Sequence, residues 1–100
     1  MKFHAYYFMK FYILLKGGSS MTLSEAVKKR IIELLELNKM NVNQLAIKSG
    51  INPATIRSIL KSRCKTPNMT AIHYICIGFQ ISLSEFYNSD LFNTDNINDD

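Results

Sequence analysis

From Asn41 to Arg63 the chain reads NVNQLAIKSGINPATIRSILKSR, and no other stretch limits its fold so tightly. Asn41 is placed to cap a helix, since its side-chain oxygen can accept from the orphan N–H groups of the opening turn. Gln44, three residues on, completes a capping-box spacing. Leu45 and Ala46 then face inward. Gly50 sits where that helix must stop, because a residue without a Cβ takes the left-handed conformation at little cost. Ile51 plugs the corner. Asn52 is a second cap, and Pro53 falls at the first helical position, where a missing N–H loses nothing. Ile56, Ile59 and Leu60 follow at i, i+3, i+4 and return the second helix to a core. The stretch predicts two short helices held at an angle by a tight turn, a helix-turn-helix.

With those residues in place, the chain resembles the lambda-repressor-like helix-turn-helix regulators (Cro and phage-repressor type, XRE family). The resemblance is carried by Gln44-Leu45-Ala46, Ser49-Gly50-Ile51-Asn52, Thr55-Ile56 and Ile59. It continues through Thr66-Pro67 and Ile81-Ser82-Leu83-Ser84-Glu85-Phe86, so it runs from about Thr22 to Phe92. It implies an all-α, compact five-helix bundle and a bacterial or phage transcriptional regulator, most often a repressor, in the cytoplasm with the nucleoid. Three positions depart from the family pattern. Val42 stands where Gln usually opens the first helix, Pro53 replaces a polar or basic residue, and Leu60-Lys61-Ser62 replaces a Glu-x-Gly. Gln80 also stands where the family usually ends a helix with Gly.

The geometry of such a motif lays the second helix, Pro53 to about Lys61, in the major groove of double-stranded DNA. Pro53, Ala54, Arg57, Ser58 and Lys61 are then the outward, base-reading side chains. Arg57 is the strongest reader, because a guanidinium makes two bonds to a guanine edge, and Ala54 can pack on a thymine methyl. Ser58 bonds several bases and specifies weakly. Asn41, Asn43, Asn52 and Thr55 are placed for phosphate with the helix N-termini, and Arg63 and Lys65 add salt-dependent affinity. The plainer reading of Arg57 is an exposed charge on an ordinary helix. With few polar readers, one domain discriminates poorly, which calls for a homodimer on a palindromic operator. An alternative from another class is a protein-interaction module on the same fold, or an antitoxin that does both.

The net charge of +4 conceals an asymmetry that agrees with DNA as partner. Residues 1–65 hold all 12 Lys and Arg against Glu25, Glu33 and Glu36, a surplus of nine. Residues 66–100 hold none against Glu85, Asp90, Asp95, Asp99 and Asp100, a deficit of five. A basic front suits a polyanion and an acidic tail keeps clear of it. One hundred residues make one domain, too small for a sizeable enzyme cleft. No paired carboxylates, no nucleophile beside a base and no phosphate-cradling glycine loop are present, so the reading is of a non-enzyme without cofactor or small-molecule substrate. Cys64 and Cys76 lack a metal-type cluster. His73 and Cys76, at i, i+3, could share a helix face, but two ligands alone read as packing rather than metal.

Three segments are expected. Residues 1–20 form an apolar, aromatic extension ending in a Gly-Ser joint, residues 21–92 the DNA-binding domain, and residues 93–100 a flexible acidic tail. In the first, Phe3 to Leu15 is too short and interrupted to span a bilayer. Its period of two favours a strand, with a helix left open. Lys16-Gly17-Gly18 is also what a purine-rich ribosome-binding site would encode, so Met21 is an expected natural start. Thr22 with Glu25 caps a first helix to about Asn38, with Val27, Ile31, Leu34 and Leu35 buried and Lys28, Lys29 and Arg30 outside, either within reach of phosphate or as a plain solvated face. Asn68 caps a fourth helix that buries Ile72, Ile75, Cys76 and Phe79. Ser82 and Glu85 cap a fifth, from Leu83 to Ser89 or Phe92, with Phe86 and Tyr87 for the core or, as the alternative, a dimer contact.

Overall fold

A computed structural model describes residues 21–61 and 67–98. The extension of residues 1–20, Arg63, Cys64, Lys65 and the last two residues of the tail lie outside the described residues.

Five helices follow the expected order: α1 Leu23–Leu37, α2 Val42–Ser49, α3 Pro53–Lys61, α4 Met69–Phe79 and α5 Leu83–Tyr87. Each begins where a side chain satisfies the orphan N–H groups. Thr22–Glu25, Asn41–Gln44 and Ser82–Glu85 are reciprocal capping boxes, and Asn68 accepts from the Ala71 N–H at 2.8 Å. α1 ends one residue earlier than expected because Asn38 turns its amide back onto the Leu34 carbonyl at 2.8 Å, and Lys39 then takes a left-handed φ of 53°. Gly50 reverses the chain after α2 at φ 70°. Gln80 does the same after α4 at φ 60°, a conformation that costs a residue with a Cβ about 1–2 kcal/mol.

The core joins Val27, Ile31, Leu34 and Leu35 of α1 to Leu45, Ile56, Ile72, Ile75, Cys76, Phe79 and Phe86. All four residues expected inward on α4 are buried, and Ile59, Leu60 and Ile81 pack against this cluster from the side. α2 packs chiefly on α4 and then on α3. Gly78 makes the first of these contacts close: a Cβ there would lie 2.2 Å from Ser49 Oγ and 2.9 Å from Leu45 Cδ1. A glycine inside a helix costs about 0.5–1 kcal/mol relative to alanine. Here it allows α2 to approach.

The C-terminal region differs from expectation. α5 stops at Tyr87, and Asp90–Phe92 form a separate 3-10 turn that places Leu91 against Met21 and Ala26. Beyond Phe92, where no periodicity is evident, the chain makes a second 3-10 turn, Thr94–Asn96, and a two-residue strand, Ile97–Asn98 (β2). β2 pairs in parallel with Met21–Thr22 (β1), Met21 opposite Ile97. The cause is backbone accounting: two extended residues ahead of α1 leave ladder groups that another extended pair can satisfy. Regular structure therefore continues through Asn98 into the segment expected to be an irregular tail.

Candidate nucleic-acid interface

The outward side of α3 is set by what its inward side buries. Ile56 is fully buried and Ile59 and Leu60 lean on the core, which fixes the helix roll. Ala54, Thr55, Arg57, Ser58 and Lys61 are thereby exposed together, while Pro53 is half-buried at the first turn. No described element covers this face. The N-terminal turns of α2 and α3 contain no acidic side chain, whereas α1 and α5 carry Glu25 and Glu85 there. A helix N-terminus without its own carboxylate leaves its partial positive charge open to an external anion.

Four side-chain amides around these turns share one arrangement. Asn41 Oδ1 accepts from the Gln44 N–H at 2.8 Å, and Gln44 Oε1 accepts from the Asn41 N–H at 2.9 Å. Asn52 Oδ1 accepts from the Ala54 N–H at 2.8 Å. Asn43 Oδ1 accepts from Arg57 Nη2, also at 2.8 Å. In each case the oxygen is engaged within the protein, so the exposed amide presents its two N–H donors, the polarity a phosphate requires. The sequence marks Asn41, Asn43 and Asn52 as phosphate residues by position, and Gln44 as a cap only. That Gln44 shares their donor arrangement follows from the capping box itself, whose reciprocal bond uses the oxygen and leaves the nitrogen.

Asn41, Asn43, Asn52 and Thr55 are exposed, as are Ala54, Arg57, Ser58 and Lys61. The structure joins Asn43 to Arg57, a pairing that residue spacing does not announce because the two are 14 residues apart on different helices.

Arg30 needs correction. Expected outside with Lys28 and Lys29, it folds over α5 instead. Its Nε donates to the Phe86 carbonyl at 2.7 Å and its Nη2 to the Glu85 carbonyl at 2.8 Å, while Nη1 pairs with Glu33. The last carbonyls of a helix are electronegative and lack intrahelical donors, so a guanidinium serves both needs. Its side chain is only 13% exposed, which removes it from any phosphate set. Of His73 and Cys76, His73 is exposed and Cys76 buried, and burial raises the Cys76 thiol above its ordinary pKa. Tyr87, expected in the core or at a dimer contact, is exposed, its ring edge-on to Phe86 and Phe92 with centroids 5.0 and 4.8 Å away.

Among the described residues no helix is long and apolar enough to cross a membrane. The profile of the Cro/C1-type helix-turn-helix DNA-binding domain matches residues 30–89, which includes α2, α3 and the turn between them. The chain is also similar to a solved structure, the crystal structure of the prophage Lp1 protein 11, at 27% identity and a TM-score of 0.65. That match covers 73% of this chain and 96% of the other. No curated protein matches.

Proposed function

The chain belongs to the Cro/C1-type helix-turn-helix DNA-binding domain family, and on that footing we propose that it is a sequence-specific transcriptional repressor acting where the DNA is, in the cytoplasm. α3 enters the major groove with Pro53, Ala54, Arg57, Ser58 and Lys61 toward base edges. Asn41, Asn43, Asn52 and Thr55 hold the flanking phosphates, and Arg63 and Lys65 add charge. The observation that carries this reading is the exposed α3 face backed by a buried Ile56, beside helix N-termini free of acid. Repression follows from occupancy: a bound operator is closed to other proteins.

Specificity asks for two copies on a palindrome, with half-sites about 34–36 Å or a multiple apart. The uncharged helix α4, with Met69, Tyr74 and Ile77 at 75%, 46% and 49% exposure, supports a contact between copies. A second reading, an interaction module that binds no DNA, is favoured by Ile47, 81% exposed on the helix that carries Asn43.

Titration of a random duplex at increasing salt separates the two. Binding whose log affinity falls linearly with log salt is expected, and no shift at low salt would leave the interaction module. On a duplex selected from a randomised library, Arg57→Ala is expected to cost about 1–3 kcal/mol and relax base choice at one position per half-site. An equal loss on all duplexes would make Arg57 a phosphate contact.

A further inference from the structure

A lone arginine on a helix surface samples many rotamers, and holding it costs up to about 2 kcal/mol of side-chain entropy. Arg57 is not alone. Asn43, in the first turn of α2, takes one of its Nη2 hydrogens at 2.8 Å, and both residues are exposed. Asn43 sits on a helix whose start is fixed by a reciprocal capping box and whose Leu45 and Ala46 are buried. The acceptor is therefore anchored, while its long partner is the mobile member.

A guanidinium has five N–H donors in a planar fork. Nη2 contributes one hydrogen to the edge it shares with Nε and another to the edge it shares with Nη1. Whichever of the two Asn43 accepts, the other two-donor edge stays complete. One complete edge is what bidentate recognition of a guanine needs. Asn43 also keeps both hydrogens of its own amide nitrogen, which lie outside the bond to Arg57.

We infer that Asn43 is a positioning residue for base choice: it holds the Arg57 guanidinium in a fixed orientation over the groove, so that loss of Asn43 weakens discrimination at the base pair Arg57 reads. This goes beyond a phosphate role for Asn43 and rests on the reading of Arg57 as a base contact. In a phosphate role alone, Asn43 would contribute equally on every sequence.

The test uses the full chain and the duplex it selects from a randomised library, together with the single-base variants of that duplex. Affinities are measured for the unaltered chain, Asn43→Ala, Arg57→Ala and the double variant, with thermal unfolding of each as a folding control. The unaltered chain is expected to prefer the selected base pair by between about 5-fold and about 150-fold. Arg57→Ala abolishes that preference. Asn43→Ala reduces it several-fold while the unfolding midpoint stays put, and in the Arg57→Ala background Asn43→Ala changes base choice no further. Asn43→Ala that weakens binding equally on all variants, with the preference intact, overturns the inference and leaves Arg57 as reader. A preference that survives Arg57→Ala overturns the base-contact reading and this inference with it, and the two failures are told apart by which single variant keeps the preference.

Discussion

The corner between α2 and α3 and the closure around α5 are held by opposite means. At the corner, the cap bonds link residues two or three apart: Asn41 with Gln44, and Asn52 with Ala54, with a left-handed Gly50 between the two pairs. Around α5 the decisive bonds cross most of the chain, as Arg30 reaches the carbonyls of Glu85 and Phe86 at separations of 55 and 56 residues. The β1–β2 pair closes the same region between the two ends of the described structure. Short-range caps form without waiting for the rest of the fold, so the interface geometry depends little on distant residues. The closure depends on a few long-range partners, and one substitution should open it.

The largest expected effect comes from Arg30→Ala, which removes three charge-assisted bonds at once. Hydrogen bonds to charged groups contribute about 1.5–3 kcal/mol each, the bond to the Glu85 carbonyl is exposed and adds least, and the mutually dependent set is expected to cost roughly 2–4 kcal/mol in denaturant unfolding. Amide exchange should accelerate over 83–92 while protection in α2 and α3 persists. Arg30→Lys should recover little, because one ammonium cannot span both carbonyls and Glu33. A loss below about 0.5 kcal/mol would show that Phe86 packing alone holds α5, and the contrast between the two regions would collapse.

A smaller effect probes the other side of the comparison. Asn52→Asp keeps a side-chain oxygen for the Ala54 N–H, and aspartate caps helices as well as asparagine, so stability should change by less than about 0.5 kcal/mol. Binding should behave differently. The variant exchanges two N–H donors for a negative charge beside the proposed phosphate, a repulsion of about 1 kcal/mol at 4 Å in water. Duplex affinity is expected to fall at least 5-fold, with the loss shrinking as salt rises. Unchanged affinity would place Asn52 away from the backbone and reduce the corner to a structural device.

These effects also separate what could be read from the chain from what could not. The caps of the five α-helices, the glycine turn and the inward residues of α1 to α4 follow from spacings of two to four residues, and the structure places them accordingly. The left-handed Gln80 is legible only through the resemblance, which usually ends this helix with Gly. Arg30 is not legible, because Lys28-Lys29-Arg30 presents one basic run and only the arrival of α5 distinguishes its third member. Gly78 is silent until α2 is known to cross it, and Asn43–Arg57 until α2 and α3 are docked. β2 lacks periodicity because it is stabilised by pairing with β1 rather than by a buried face of its own, and the second 3-10 turn, three residues capped by Asn93, is too short to show any.

Thr22 belongs to both schemes, since it caps α1 locally and pairs in β1 with the far end of the chain, and its partner Glu25 gives the smallest and most specific prediction. The Glu25 carboxylate accepts from the Thr22 N–H at 3.2 Å and from Thr22 Oγ1 at 3.1 Å. The backbone bond to Thr22 chiefly lowers its pKa below the ordinary 4.5; burial opposes this, and the Thr22 hydroxyl, Lys29 and Lys28 add to the lowering. A carboxylate whose folded pKa is depressed contributes stability that is complete above its unfolded value and lost as pH falls through the folded one. Glu25→Gln retains an acceptor but no charge, so it should cost about 0.3–1 kcal/mol near neutral pH, the range for an acid at a helix N-terminus. The difference between the two proteins should vanish in acid below the folded pKa, read from urea midpoints across pH. If the cap is purely local, duplex affinity at neutral pH should not move; if it does, the start of α1 communicates with the α2–α3 corner and the two regions are coupled through the core.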